Sequence, residues 1–224
     1  MNMSVRSSYN QALTEIQRQI LQMGNLVSQA LDDALAALET GNEELAAQVI
    51  FGDPIIDNLQ ITIEDKTVEL IALQQPIAKD LRILSTALKM TTDLERIGDH
   101  AKKIAKLVPR LEPEPLPLAV SSITQVGKQD IDMIQKVLKA YVNLDAQLAL
   151  EVIQADSKVD DICDSCKRVL LEYMLADKNN ISQGNDLNKI IHRLERVGDH
   201  CTNLAEWVIY LTTGRRIQQM EEEK

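Results

Sequence analysis

The sequence predicts an all-α protein built from two tandem three-helix bundles, and three observations lead to this prediction. Apolar residues recur at every third or fourth position over long segments, four of the six prolines fall in one short segment near the middle, and the two halves repeat each other. The 224 residues suffice for one large domain or two small ones. Ala, Leu, Ile and Val dominate the 45% of hydrophobic residues, which predicts an aliphatic core.

The first half has the spacing of three amphipathic helices. The first helix ends at Gly41-Asn42, after an apolar stripe that advances by threes and fours: Leu13, Ile16, Ile20, Met23, Val27, Leu31, Leu35 and Leu38. The second repeats this spacing: Leu45, Val49, Ile56, Leu59, Ile63 and Leu70. Pro76, after two glutamines, marks the break before a third helix that runs to about Val108.

A proline-rich segment at residues 109–117 follows the third helix. It cannot form an α-helix and predicts an extended, stiff linker. Beyond it we predict helices over about 118–142, 145–177 and 185–213, with Asn179-Asn180 and Gly184 marking the last turn. The predicted organisation is therefore one three-helix repeat at residues 1–108, the linker at 109–117, and a second three-helix repeat at 118–224.

The two halves also match residue by residue. Residues 94–100, LERIGDH, recur as LERVGDH at residues 194–200, identical at six of seven positions with an offset of 100. Upstream the offset is 103: Gly24, Leu45, Ala46, Val49, Ile50, Asp53 and Asp57 reappear as Gly127, Leu148, Ala149, Val152, Ile153, Asp156 and Asp160. The connection between the second and third helices is therefore three residues shorter in the second repeat.

Composition argues against two classes of protein. The net charge of −10 and the six aromatic residues provide neither the basic surface nor the stacking platforms of a nucleic-acid binder. No apolar run is long enough to span a membrane, and the first residues do not resemble a secretion signal. We therefore expect a cytoplasmic protein.

Three cysteines, all in the second half, suit a reducing compartment better than a disulfide framework. Cys163 and Cys166 have the spacing of a redox or zinc half-motif, but they fall in a helical segment without a second pair. Two semi-buried thiols on a helix face are the better interpretation.

Acidic residues are paired at i and i+4 in two helices of each half, which places both carboxylates of a pair on one helix face. The eight residues are Asp53, Asp57, Glu95 and Asp99, then Asp156, Asp160, Glu195 and Asp199. Four facing carboxylates form the donor set of a hard cation such as iron, manganese, magnesium or calcium. The alternative is that Arg96, Arg196 and neighbouring lysines neutralise these acids, or that the acids face water.

Neighbours of these acids allow structural interpretations. Gly98 and Gly198 cost helix stability, which indicates either a close backbone approach beside the acidic face or a packing role. His100 and His200 are rotated by ~100° from the preceding aspartates, beside the acidic face rather than on it. His192 has no counterpart in the other repeat and is expected at the surface.

The doubled three-helix repeat, the acidic pairs and the LERIGDH and LERVGDH motifs resemble the PhoU family over essentially the whole chain. This resemblance implies a bacterial cytoplasmic negative regulator of phosphate uptake and of the phosphate-starvation regulon. It implies an adaptor between two partners, the ATPase subunit of the phosphate ABC transporter and the phosphate-sensing histidine kinase, with membrane contact only through such partners. It also implies a homodimer and no nucleic acid.

The same resemblance implies metal ion clusters on the acidic pairs: iron first, with zinc, manganese, nickel, magnesium or calcium as other candidates. Its motifs fall on all eight acids named above. One departure is Pro54, directly after Asp53, where the second repeat has Ser157. A proline there either kinks a continuous helix or starts a new one with Asp53 as its N-cap, in which case Asp53 would face backbone N–H groups instead of a metal.

Two other functional classes remain open at this point. A carboxylate-bridged di-metal enzyme is the alternative function, but the Glu-x-x-His pattern of ferritin-like enzymes is missing, because Gly98 and Gly198 stand three residues after the glutamates. A metal-free scaffold with solvated acids is the third. The sequence favours the regulatory adaptor, which is not an enzyme.

Overall fold

The computed structural model describes residues 2–112, 117–217 and 219, and their side chains over residues 8–112, 119–217 and 219. It contains six α-helices: α1 (Asn2–Thr40), α2 (Glu43–Gln74), α3 (Lys79–Ala105), α4 (Pro117–Asn143), α5 (Ala146–Ala176) and α6 (Ile181–Thr213). The described residues form no strand, so the predicted all-α class with three helices per half is confirmed. In the same part of the chain, no helix is both long and apolar enough to cross a lipid bilayer.

Equivalent caps begin the second helix of each repeat. Asn42 accepts the backbone N–H of Leu45 at 3.0 Å, and Asp145, its counterpart at the offset of 103, accepts those of Gln147 and Leu148. Each side-chain oxygen satisfies a donor that the first turn of a helix leaves free. The caps therefore fix the same helix start in both repeats.

Three boundaries differ from the sequence prediction. The third helix ends at Ala105, and Val108–Arg110 forms a 3₁₀ turn that includes the first residues of the expected linker. The linker's central residues, 113–116, lie outside the described part of the chain, and residue 117 begins α4. Helix α6 begins at Ile181, not at 185, and Gly184 lies inside it. A Cβ on Gly184 would come within 2.4 Å of Met174. Gly184 is thus a packing position and not a turn.

The two halves share one aliphatic core, because α1 packs on α4 and α3 packs on α6. A Cβ on Gly24 of α1 would lie 2.5 Å from Leu138 of α4, and one on Gly127 of α4 would lie 2.4 Å from Leu35 of α1. Because of the offset of 103, each of these two contacts is the repeat equivalent of the other. Both can form only if the two helices run antiparallel. The repeats are therefore related by an approximate two-fold axis through the α1–α4 contact.

Candidate metal centres

The eight candidate ligands form two groups, one in each repeat. The first acidic cluster combines Asp53 and Asp57 on α2 with Glu95 and Asp99 on α3; the second combines Asp156 and Asp160 on α5 with Glu195 and Asp199 on α6. In each cluster the charges of one helix raise the pKa of a carboxyl on the other. Helix packing therefore places the two acidic pairs of a repeat close enough to repel each other.

Lysines occupy the first acidic cluster. Lys102 of α3 forms an ion pair with Asp53 across the α2–α3 contact, and the Asp53 side chain is only 5% exposed. Lys103 lies 2.6 Å from Asp99. The predicted alternative, in which cations neutralise the acids, is thus realised for these two carboxylates and also for Glu95, which lies 3.5 Å from Arg96.

Asp53 is not a helix cap. Helix α2 continues through Pro54, so the N-cap interpretation is wrong. The proline ring cannot donate to the carbonyl of Ile50, and its own carbonyl accepts the Asn58 side chain at 2.7 Å. Asp53 instead lies within the helix, with its side chain turned toward α3 and Lys102.

Burial and mutual repulsion shift the pKa values in the first acidic cluster. Burial raises the pKa of Asp57, and the neighbouring charge of Asp53 raises it further. Burial likewise raises the pKa of Glu95, with smaller contributions from Asp99 and Asp57. Burial also raises the pKa of Asp99, but the hydrogen bond from Lys103 and the positive charges of Lys103 and Lys102 together outweigh burial and leave that pKa below its usual value. A cation would relieve the crowding of Asp57 and Glu95.

The second acidic cluster is less neutralised. Lys167 lies 2.9 Å from Glu195, and Arg196 lies 3.0 Å from Asp199. Asp156 and Asp160 form no ion pair with any residue that the structure describes. Burial raises the pKa of both, and so do acidic neighbours, first Asp160 for Asp156 and first Glu195 for Asp160.

Asp130 of α4 lies beside the second acidic cluster, and the sequence analysis missed it. Its side chain is completely buried, and neither oxygen has a hydrogen-bond partner among the described residues. Burial, and then the charge of Asp156, raise its pKa well above the usual value. The repeat could have revealed Asp130 from the sequence, because the offset of 103 aligns it with Val27, which is buried in the first repeat.

Gly198 provides the space that the second acidic cluster needs. A Cβ there would lie 2.6 Å from an oxygen of Asp156 and 3.7 Å from one of Asp130. The three atoms nearest to a Cβ on Gly98 would be methyl groups of Ile56 and Val27, the closest at 3.1 Å. The predicted close approach beside the acidic face therefore holds for Gly198, whereas Gly98 has the packing role.

The paired histidines meet at the contact between the repeats. The rings of His100 and His200 are 5.7 Å apart, and the Nδ1 atom of His200 lies 2.9 Å from Asp93 of α3. His100 is buried without a partner for its Nδ1 atom among the described residues. Burial lowers the pKa of His100 to about 4, and the positive charges of Lys103 and Arg193 contribute.

The other singled-out residues have structural positions. His192 is exposed, with its Nδ1 atom 3.4 Å from Glu195. All three cysteines, Cys163, Cys166 and Cys201, are buried free thiols. Burial raises the pKa of Cys163 to about 12, so it is protonated at neutral pH. The expectation of semi-buried thiols on a helix face understated their burial.

As placed, the carboxylates are not assembled around a metal. Within the described ranges, no group of three or more His, Cys, Asp or Glu side chains could hold a metal ion. The residues nevertheless fit a hard cation by chemistry, since all eight are oxygen donors and the acids that lack a cationic partner have raised pKa values. Binding therefore requires these side chains to turn from their present partners toward a shared cation.

The chain is thus an all-α repeat protein. Its two three-helix repeats are related by an approximate two-fold axis, and each has facing acidic pairs on its second and third helices. The PhoU domain model matches this chain twice, at residues 20–108 and 123–208. The chain therefore belongs to the PhoU family.

Relatives from several bacteria match over nearly the full length. The chain is 39% identical to the phosphate-specific transport system accessory protein PhoU homolog of Clostridium acetobutylicum, over 95% of this chain and 97% of that protein. It is 33% identical to the PhoU accessory protein of Serratia marcescens, over 98% and 90%. These relatives are named as accessory proteins and not as enzymes.

Two solved structures share the fold. The crystal structure of PhoU from Pseudomonas aeruginosa matches with a TM-score of 0.89 and 37% identity, over 92% of this chain and 100% of that chain. The phosphate transport system regulatory protein PhoU from Streptococcus pneumoniae matches with a TM-score of 0.87 and 31% identity, over 93% and 99%. The fold of six helices is thus that of solved PhoU proteins.

Proposed function

We propose that this chain is an accessory regulator of phosphate transport that represses phosphate uptake and the phosphate-starvation regulon when phosphate is plentiful. The observation that carries the proposal is the match, over more than nine-tenths of the chain, to proteins named as accessory and regulatory components of phosphate transport. Its output is protein contact: it acts as an adaptor between the transporter's ATPase subunit and the phosphate-sensing histidine kinase. It works in the cytoplasm, at the inner face of the membrane through these partners, and as a homodimer.

The second part of the proposal is that both acidic clusters bind metal ions, with iron the first candidate. Its support is the burial of these carboxylates and their crowding, which together raise the pKa of Asp57, Glu95, Asp156 and Asp160. A bound cation would neutralise these acids and join the second and third helices of a repeat. The second acidic cluster binds first, because two of its acids, Asp156 and Asp160, have no described cationic partner, whereas only Asp57 lacks one in the first.

An enzymatic role receives no support from this arrangement. Glycine stands three residues after Glu95 and after Glu195, where the di-iron helical enzymes have histidine. His100 and His200 contact each other across the repeat interface, and His200 also contacts Asp93. The proposal therefore assigns the metals a structural or regulatory role.

The regulatory proposal is tested by deleting the gene and following a phosphate-starvation promoter in phosphate-rich medium. We expect the promoter to switch on without the protein and to be repressed again by the wild-type chain. In parallel, the purified chain is expected to bind the ATPase subunit and the cytoplasmic part of the sensor kinase from the same cell. A silent promoter in the deletion strain, or no binding to either protein, would contradict the adaptor role.

A further inference from the structure

The outward face of α2 is apolar although nothing in the described chain covers it. Phe51 is 81% exposed. Four more large apolar side chains lie exposed along the same helix: Ile55, Ile61, Val68 and Leu73. Other faces of α2 already contribute Val49, Ile56 and Ile63 to the core. A helix that is apolar on its inner and outer faces is typical of a helix covered on both, and an exposed patch of this kind marks an interaction site.

The second repeat provides an internal control for this face. At the offset of 103, Phe51, Ile55 and Ile61 correspond to Gln154, Lys158 and Asp164 of α5, which are exposed and polar. The same three-helix repeat therefore forms without apolar residues at these positions. The apolar face of α2 consequently has a role other than folding.

Two cavities between α1 and α2 adjoin this face; together we call them the α1–α2 groove. One part, of about 320 Å³, is lined by Ala12, Glu15, Ile16, Lys66, Glu69, Leu70 and Leu73. A second part, of about 160 Å³, is lined by Leu26, Gln29, Ala30, Asp33, Gln48, Val49, Gly52, Ile55 and Ile56. Gly52 leaves open space, since a Cβ there would meet no atom within 4 Å. The groove has an apolar floor with room for an inserted side chain.

Negative charge surrounds the groove. Residues 1–74 contain eleven acidic and only three basic residues, whereas the rest of the chain is nearly balanced, with 23 acidic and 21 basic residues. Two acids that line the groove, Asp33 and Glu69, form no ion pair with any described residue. Lys66, at one edge, already contacts Gln19 and Glu15. The groove therefore favours a positively charged occupant.

We propose that the α1–α2 groove binds an amphipathic helix of a partner protein, with its apolar stripe on α2 and with lysines or arginines flanking that stripe. This mode of recognition needs apolar anchors at i, i+3, i+4 and i+7 and an apolar groove, which α2 and the gap at Gly52 supply. A second copy of this chain is a poor occupant, because it would place like acids opposite each other. The inference rests on the proposed adaptor role and names the surface through which it acts.

The first test uses two synthetic 18-residue helices, one of Leu and Lys and one of Leu and Glu, with leucines on one face. We expect the full-length chain to bind the Leu/Lys helix at least about tenfold more tightly than the Leu/Glu helix, as measured by fluorescence anisotropy, with affinity falling as salt rises. The variant Phe51→Gln/Ile55→Gln removes two exposed anchors without changing charge. It should weaken Leu/Lys binding by at least about tenfold.

The matched control is Leu171→Gln/Leu175→Gln, which alters two exposed leucines of α5. It should bind the Leu/Lys helix within about twofold of the wild type. Since all four side chains are exposed, both variants should keep the wild-type circular dichroism and melting temperature. An equal loss of binding in both variants, or no loss in the α2 variant, would overturn the proposal. So would a wild-type dimer that the α2 variant converts to monomers.

Partner binding separates this proposal from the adaptor role. We expect Phe51→Gln/Ile55→Gln to weaken binding to the transporter ATPase subunit or to the sensor kinase, whichever carries the basic helix. If the variant binds both as tightly as the wild type, the groove proposal is wrong and the adaptor role stands. If the wild type binds neither protein but still prefers the Leu/Lys helix through α2, the adaptor role fails and the groove proposal stands.

Discussion

Asp130 marks a chemical difference between the two repeats inside the core. In the second repeat, a fully buried carboxyl without a hydrogen-bond partner among the described residues takes the place of Val27, which completes the core of the first. Its raised pKa means that the folded protein keeps a proton that the unfolded chain releases above pH ~4. The folded state then binds more protons, so the free energy of unfolding contributed by this group falls as the pH rises.

Substitution of Asp130 by Asn should therefore stabilise the metal-free protein increasingly toward alkaline pH. At pH 8 we expect a gain of about 1 kcal/mol or more, since each unit of pKa difference corresponds to about 1.4 kcal/mol. Urea unfolding at several pH values, with a chelator present, measures the difference between variant and parent. Asp161→Asn, at an exposed position of α5, is the control. A gain that is independent of pH, or a loss at every pH, would contradict the assignment.

In the first repeat, Lys102 supplies a cation to a buried carboxylate, Asp53. In Lys102→Met, Asp53 loses its described ion-pair partner, and we expect a loss of about 1–3 kcal/mol in the metal-free protein. If the first acidic cluster binds a divalent cation, manganese or iron(II) should restore part of this loss. Lys103→Met, which removes a more exposed pair, should lose less than about 1 kcal/mol. Equal losses in the two variants would contradict this role of Lys102.

At the scale of helices, the contact between α1 and α4 depends on two glycines. Gly24→Ala or Gly127→Ala would push a methyl group into Leu138 or Leu35, and overpacking of this kind costs about 1–3 kcal/mol. Thermal melts should show both variants below the wild type. Gly52→Ala is the matched control, since that position is open and alanine favours a helix by up to about 1 kcal/mol over glycine. A rise in melting temperature for Gly24→Ala would refute the close approach.

Helix positions were predictable because local sequence determines them. Apolar spacing located all six helices, and Gly41-Asn42 and Pro76 marked breaks that the structure retains. Gly184 misled the prediction, because glycine looks the same at a turn as at a close helix contact, and only the position of Met174 distinguishes them. Pro54 was ambiguous for a similar reason: packing of α2 against its neighbours maintains a helix that local preference would interrupt.

The acidic clusters were predictable only in part. Spacing identified the eight acids and the repeat paired the helices, but which cation reaches which acid depends on how helices pack. Lys102 and Lys167 both cross to the other helix of their pair, a contact that no spacing rule along one helix reveals. Asp130 belongs to a helix outside the acidic motifs, so its place beside Asp156 required the fold.

At the scale of the whole molecule, the distribution of charge does not follow the symmetry of the fold. The repeats share one fold and an approximate two-fold axis, yet most of the net charge belongs to residues 1–74, which include α1 and α2, and the apolar outer face belongs to α2. The acidic clusters, by contrast, occur in both halves. We infer that the two repeats divide the work: metal binding is common to both, whereas the proposed partner contact belongs to the first.

Removal of metal should destabilise the whole protein if cations join the second and third helices. We expect the protein purified without chelator to melt at a higher temperature than the same protein after chelation, and added iron(II) or manganese to restore the difference. Glu195→Gln/Asp199→Asn should reduce this shift, since it removes two carboxylates of the second acidic cluster. A metal-free scaffold predicts instead no effect of the chelator and a more stable variant, because repulsion between the acids is relieved.

Metal content tests the central claim most directly. Elemental analysis would compare the native protein with Asp156→Asn/Asp160→Asn, after checking by circular dichroism that the variant is folded. The account predicts that the native protein contains metal, with iron as the first candidate, and that the variant contains clearly less metal. Native protein that holds no metal even after reconstitution, or a variant with unchanged metal content, would contradict the claim that these carboxylates are ligands.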